Sequence, residues 1–165
     1  MPPTAHVVIR AVRPDDAAAI MDIRRQPEVM RFTPAMPSER VDRFGEFYAR
    51  WGANDHVLVG EIDGRVVGYA GLHLRDGKRR HSAWLGIAVH DEFAGRGVGQ
   101  ALMQALVDLA DQWIGLVRVD LEANADNERA IALYRRFGFV EEGRQRKAYF
   151  AGGAYVDAVL MARVR

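Results

Sequence analysis

The sequence predicts an α/β fold, one mixed sheet with helices on both faces, in the order βααβββαβαββ. Three observations predict it. Segments 56–62, 65–74 and 81–89 read as strands, and Asp63-Gly64 and Asp76-Gly77 separate them as antiparallel neighbours joined by tight turns. A long helical stripe follows, made of Val98, Ala101, Leu102, Ala105, Leu106, Leu109 and Trp113. A further helical stretch, 126–137, then ends on Gly138 ahead of two last strands.

The elements can be justified in order. Residues 6–12, "HVVIRAV", alternate and are rich in β-branched side chains, as a first strand should be. Pro14 suits the first turn of a helix, and Asp15 and Asp16 complement its dipole. That helix stops before Pro27. Residues 26–37 contain three prolines and read as a loop, an unusually apolar one with Val29, Met30, Phe32 and Met36. A second helix is expected over 39–51, where Val41, Phe44, Phe47, Tyr48 and Trp51 recur at helical spacing. After the strand run and the long helix, 116–123 is a strand, and Asp126 is the expected N-cap of the helix behind it. Two strands flanking Gly152-Gly153 close the chain. No repeat or linker interrupts residues 1–165, which read as one domain.

Composition narrows the function classes. A net charge of +1 supplies no bulk attraction to nucleic acid or to a membrane surface. The basic clusters at 78–81 and 144–147 read as solvated faces. The absence of cysteine removes disulfides, thiol nucleophiles and thiolate metal ligands together. No signal-peptide pattern opens the chain, and no run is apolar for the eighteen or so residues that a membrane span needs. A cytoplasmic protein with no nucleic-acid partner, no membrane and no metal is expected.

The stretch 91–106, "DEFAGRGVGQALMQAL", sets Gly95, Gly97 and Gly99 two apart at the head of the strongest helix. A dinucleotide fingerprint needs G-x-G-x-x-G, but its third glycine falls on Gln100 or on Leu102. A phosphate-binding P-loop needs Gly-Lys-Ser/Thr, which is absent. What remains is a loop of backbone amides aimed along a helix dipole, an anion site suited to a pyrophosphate. Arg96 either adds a phosphate contact or points to solvent.

"FAGRGVGQALM" resembles the acetyl-CoA motif of the GCN5-related N-acetyltransferases, with Gly97 and Gly99 at its two small positions. Ala94 stands where that motif usually has Gln or Arg. A second stretch, "NADNERAIALYRRFGF" at 124–139, resembles the family's other conserved block. Its Asn127 and Tyr134 are seven apart, two helical turns, which puts them on nearly one face about 10 Å apart. The resemblance covers nearly the whole chain. Within the family, "QPEV", "WLGIAV" and the tail "GGAYVDAVLMARVR" look like bacterial acetyltransferases of free amino acids, although similar proline-bearing segments occur in ribosomal-protein acetyltransferases.

The resemblance implies acetyl-CoA as co-substrate. It implies that Ala94, Gly95, Arg96, Gly97, Val98, Gly99 and Gln100 grip its pyrophosphate, with Asn127 and Tyr134 along its arm. It also implies that the strand carrying Ile87, Ala88 and Val89 pairs with the pantetheine, the Val89 amide serving the thioester oxygen. The reaction implied is direct attack of an amine on the thioester, and Tyr134 is the candidate acid for the departing thiolate. The base stays open among Glu61, His73, His81 and Glu122. His81 stands first because an imidazole suits neutral pH without tuning. Phe32, Met36, Phe44, Phe47 and Tyr48 either wall a pocket for the acceptor's side chain or fill the core. Arg24, Arg25 or Arg31 is a candidate partner for an acceptor carboxylate. The expected acceptor is a small-molecule amine, above all the α-amine of an amino acid. A protein N-terminus, or a non-catalytic acyl-CoA sensor, is the alternative. Whether the chain is a monomer or a homodimer stays open.

Overall fold

The computed structural model describes residues 6–165, without the side chains of Val41, Phe44 and Phe47. It runs β1 (Val8–Ala11), α1 (Ala17–Arg24), α2 (Pro27–Phe32), α3 (Phe44–Arg50), β2 (Asp55–Ile62), β3 (Arg65–Leu74), β4 (Ser82–Val89), α4 (Val98–Asp108), β5 (Arg118–Asn124), α5 (Glu128–Arg136), β6 (Val140–Ala151) and β7 (Ala154–Val164). The seven strands form one sheet in the order β1-β2-β3-β4-β5-β7-β6, antiparallel except for the β4–β5 pair.

Strand alternation divides the apolar residues between two faces. Leu72, Leu85, Leu121 and Met161 point to the face covered by α4 and α5, where Leu102, Met103 and Leu106 of α4 are fully buried among them. Val59, Val66 and Ala88 point to the other face, under Ile20, Met21 and Ile23 of α1 and Val29 of α2. On β5 (Arg118–Asn124) this second face carries Asp120, Glu122 and Asn124, of which Asp120 and Asn124 are buried.

Four expectations need correction. Residues 27–32, read as a loop, form α2, with Pro27 supplying the first helical position and Thr33 taking up the extended conformation that ends it. The order is therefore βαααβββαβαββ, with one short helix more than expected. The long helix is α-helical only to Asp108 and continues as a π-wound segment, Leu109–Ile114. The wider winding rotates the later residues off the apolar stripe, so Trp113 is 82% exposed instead of buried. The N-cap of α5 is Asn127, whose Oδ1 accepts from the Ala130 N–H at 3.2 Å, not Asp126, which faces Arg31 at 3.1 Å. The fate of the Val41, Phe44 and Phe47 side chains lies outside the described residues. Among the described residues no helix is long and apolar enough to cross a membrane.

The register decides where a site can form. β4 pairs with β5 only over Ser82–Trp84 against Arg118–Asp120. Past that point β4 follows β3 as far as Gly68↔Val89, and β5 follows β7 as far as Asn124↔Ala158. The two strands part, and a gap opens through the middle of the sheet.

α4 lies close on β2 and β3 because a glycine faces it on each strand. A Cβ on Gly68 would stand 2.8 Å from Val98 Cγ1 and 3.1 Å from Leu102 Cδ1. Both neighbours are fully buried, and the branched Val98 cannot swing aside. Gly68→Ala should therefore destabilise the fold by about 1–3 kcal/mol, the usual cost of overpacking, read as a lower Tm. An unchanged Tm would show that α4 is free to shift.

Candidate active site

The parted ends of β4 and β5, the loop 90–97 and α5 enclose a cleft of about 1140 Å³. Its backbone wall follows from the ladder. Ser82 accepts from the Arg75 N–H and the His90 N–H donates to the Val67 carbonyl, so even-numbered residues of β4 direct their backbone groups to β3. The N–H and C=O groups of Ile87 and Val89 then point the other way, into the gap, with no strand to meet them. The sheet leaves a strand's worth of hydrogen-bonding capacity for an extended ligand.

At one end of this wall the chain turns into α4. Gly95 and Gly97 hold φ of +80° and +86°, values that an L side chain adopts only under strain, and a Cβ on Gly97 would meet nothing within 4 Å. The first intrahelical bond runs from the Ala101 N–H to the Gly97 carbonyl at 2.9 Å. The amides of Val98, Gly99 and Gln100 have no intrahelical acceptor by helix geometry and present the positive end of the dipole. Gly99 faces α5, and its added Cβ would come within 3.3 Å of Leu133. An open floor, free amides and left-handed glycines fit a pyrophosphate.

α5 forms the opposite wall. Tyr134 is buried, lines the cleft and packs against Phe139 with ring centroids 6.1 Å apart. Burial alone pushes its phenol up to about 12. At neutral pH the hydroxyl keeps its proton and is a donor.

The other mouth of the cleft opens on the face of α1 and α2. Here Glu122 accepts a hydrogen bond from the Tyr149 hydroxyl of β6, and burial together with that carboxylate raises the Tyr149 pKa. His73 Nδ1 lies 2.6 Å from Asp55 Oδ1 across the β2–β3 pair. Trp84 stands in register between His73 on β3 and Asp120 on β5. Asp120 is neutralised by both Arg75 and Arg118. Arg24 holds Glu39 through two bonds of 2.8 Å and also reaches the Tyr69 hydroxyl at 3.3 Å. Asn124, buried, ties β5 to α2 by donating to the Arg31 carbonyl at 3.1 Å.

Most of the expected site residues come together. Ile87, Ala88 and Val89 line the cleft, as do Ala94, Gly95, Gly97, Gly99 and Gln100, and Asn127 and Tyr134 from α5. Two residues of the expected pyrophosphate set contribute differently. The Val98 side chain is buried in the core under α4, and the Arg96 guanidinium stacks 4.9 Å from the Phe93 ring centre. His81 is misplaced as a candidate base. It is exposed on the turn before β4, at the end where β4 and β5 are still paired, and its carbonyl accepts from the Val117 and Arg118 amides. The length of β4, eight residues or roughly 25 Å, separates it from Val89. Glu61 is bound to Arg10 at 2.7 Å and does not line the cleft. His73 and Glu122 do line it. The candidates for a carboxylate also separate: Arg24 lines the cleft paired with Glu39, Arg31 faces Asp126, and Arg25 is exposed. Met36 is exposed, whereas Phe32 and Trp51 line the cleft.

Trp84, Asn124 and Tyr149 were not singled out from the sequence. Asn124 carried a signal, since a polar residue ending an apolar strand has to be bonded. Tyr149 carried none: strand period alone does not show that it reaches β5.

Residues 17–139 match the model of the acetyltransferase (GNAT) family. The chain is 37% identical over 163 residues to the L-amino acid N-acetyltransferase AaaT of Escherichia coli, covering 98% of this chain and 99% of that one. It is 36% identical over 112 residues to the N-alpha-acetyltransferase RimI of Mycobacterium tuberculosis, covering 67% and 66% of the two. Among solved structures it superposes on the Salmonella typhimurium protein yncA, determined with its cofactor acetyl-CoA. The TM-score is 0.79 at 26% identity, over 96% of this chain and 94% of that one. A seven-stranded sheet parted between its parallel strands, an amide loop at the head of α4 and a full-length enzyme relative agree, and the chain belongs to the GNAT family of N-acetyltransferases.

Proposed function

We propose that this enzyme acetylates the α-amine of a free amino acid, using acetyl-CoA bound along β4 with its pyrophosphate on residues 94–100. The observation that carries the reading is the gap between β4 and β5. Through it one ligand meets the amides of Ile87 and Val89, the head of α4 and the Tyr134 hydroxyl in turn. The full-length likeness to an L-amino acid N-acetyltransferase supports the acceptor class. So does the apolar lining of the acceptor mouth, where Val29, Phe32, Trp51 and Trp84 could receive a side chain. The partial likeness to a protein N-terminal acetyltransferase favours a second reading, an α-amine on a peptide.

Acetyl-CoA supplies an activated acyl group whose carbonyl carbon is attacked directly. An α-amine with a pKa near 8 is mostly protonated at neutral pH, so the chain has to remove a proton before nitrogen can attack. Glu122 takes that role. Of the four candidate bases it is in the cleft and free of a cationic partner among the described residues, whereas His73 is engaged by Asp55. The Val89 N–H stabilises the charge growing on the carbonyl oxygen as the C–N bond forms. When the C–S bond breaks, Tyr134 gives its proton to the thiolate and recovers one from solvent. One ammonium and one thioester become an amide, a thiol and a proton.

A screen of thiol release from acetyl-CoA tests the acceptor class, run against the twenty amino acids, short peptides and polyamines. Turnover confined to peptides or to polyamines would overturn the amino-acid reading. Saturating acetyl-CoA, at a hundred times its Kd, should stabilise the protein by about 2.7 kcal/mol. Gly97→Asp places a carboxylate on the pyrophosphate floor, Gly99→Asp puts one beside it against Leu133, and both should abolish that shift in Tm. NAD and ATP should produce far smaller shifts than acetyl-CoA. A full acetyl-CoA shift in either aspartate variant would sink the assignment of the loop.

Tyr134→Phe keeps the ring packed on Phe139 and removes only the proton. Turnover should fall by roughly 10²–10⁴ with acetyl-CoA binding unchanged. Glu122→Gln should cost turnover on the same scale. Near-normal rates in either would remove that residue from proton transfer.

A further inference from the structure

Tyr149 ought not to reach Glu122. In register, Tyr149 of β6 stands opposite Val156 and Glu122 of β5 stands opposite Leu160, four residues apart along the intervening β7. In a flat sheet that is about 13 Å along the strands and two strand spacings, about 10 Å, across them. A tyrosine and a glutamate cannot bridge it. The hairpin must curl over the cleft face, and the ladder shows how. Four steps along β6, Gln145 to Tyr149, match only two along β7, Ala158 to Val156. The surplus residues form a bulge, the usual device for bending a strand and redirecting a side chain.

One side chain braces that bulge. Lys147 holds φ +52°, an unfavourable value for a lysine, and its N–H donates to Asp157 Oδ1 at 2.9 Å. Arg144 donates from Nε to Asp157 Oδ2 at 3.0 Å. The carbonyl of the same Asp157 accepts from the Ala125 N–H at 2.8 Å, at the end of the strand that carries Glu122. Asp157 thus grips the bulge with its side chain and β5 with its backbone.

We propose that Asp157 is a positioning residue for the acetyl transfer: by bracing the 146–148 bulge it curls β6 over the cleft and seats the Tyr149 hydroxyl on Glu122. This rests on Glu122 accepting the amine's proton, and Tyr149 fixes the carboxylate so that its second oxygen faces the incoming amine. The other charged or titratable groups around this pair are Asp120 with its two arginines, the His73–Asp55 pair, Tyr134 from α5, and Arg24 and Glu28 from α1 and α2. Among the described residues no hydrogen bond or ion pair joins these groups to residues 146–148, so the Asp157 side chain acts on Glu122 through the bulge and Tyr149.

The test combines kinetics with a direct view of the phenol. Tyr149→Phe should lower kcat about tenfold, the effect of one lost hydrogen bond to a charged group, and leave the KM for acetyl-CoA unchanged. Asp157→Ala should do the same, and the double variant should lose no more than either alone. Asp157→Asn, which keeps an oxygen for the Lys147 N–H, should recover most of the rate. A purely structural Asp157 predicts a lower Tm with kcat untouched, or additive losses, and either result overturns the proposal. Ring-carbon NMR of labelled tyrosine, assigned with Tyr149→Phe, follows the contact without any assay. Asp157→Ala and Asp157→Asn give two chances of a folded protein, and the alanine should bring the Tyr149 titration down. No movement there refutes the brace. If Glu122→Gln keeps full turnover while the Tyr149 titration still responds to Asp157, the base assignment fails and the brace stands.

Discussion

Two β-strands that begin as hydrogen-bonded partners and end apart set the terms for everything else in this enzyme. β4 and β5 are the sheet's parallel pair, and each is drawn away from the other by an antiparallel neighbour that keeps it in register to its end. Unpaired backbone groups inside a protein are costly, so the gap persists only because solvent or a ligand meets them. The binding line proposed for acetyl-CoA is therefore made of main chain. That explains why Ala94, in place of a larger polar residue, leaves the cradle intact: left-handed glycines and the free amides of α4 do not depend on the side chain at 94.

The gap also brings groups from opposite faces of the sheet into one cleft. Tyr134 packs from α5 into the α4–α5 layer with Leu121 and Ala123 of β5, and Glu122, between those two, points to the face of α1 and α2 because alternate residues of a strand point to opposite sides of the sheet. In a closed sheet they would be insulated from one another. Here a donor held protonated by burial and a carboxylate held by a tyrosine share one cleft. The transfer proposed above uses that arrangement, with the amine approaching from the α2 side and the thiolate leaving toward α5.

Charge is handled differently in the cleft and in the walls behind it. Asp120 and Glu39 are matched by arginines that hold the walls in place. Glu122 is matched by a neutral hydroxyl, which orients the carboxylate without cancelling its charge. A neutralised carboxylate would be a poor seat for an ammonium group. The paired acids brace the walls, and Glu122 keeps its charge for the role proposed for it.

The sequence by itself determined the strand run, its Asp-Gly turn, the amphipathic α4 and α5, and the glycine loop between β4 and α4. It also determined most of the coenzyme-side lining, Ile87 to Val89, the glycines and Tyr134. These features are legible because each depends on local period, capping or backbone conformation within a few residues. Winding at helix ends was less legible: Pro27 both ends one helix and starts another, and the π turn that exposes Trp113 leaves no mark in composition. Only the tertiary structure separated the candidate bases by their place relative to the cleft. His81, Glu61, His73 and Glu122 all occur on or beside strands, and which of them meets the cleft depends on register, strand order and the place where β4 leaves β5. Tyr149 is the extreme case, since its contact with Glu122 depends on a bulge braced from a third strand. Pairings between residues distant in the chain are set by the packing of the whole sheet, and no local pattern encodes them.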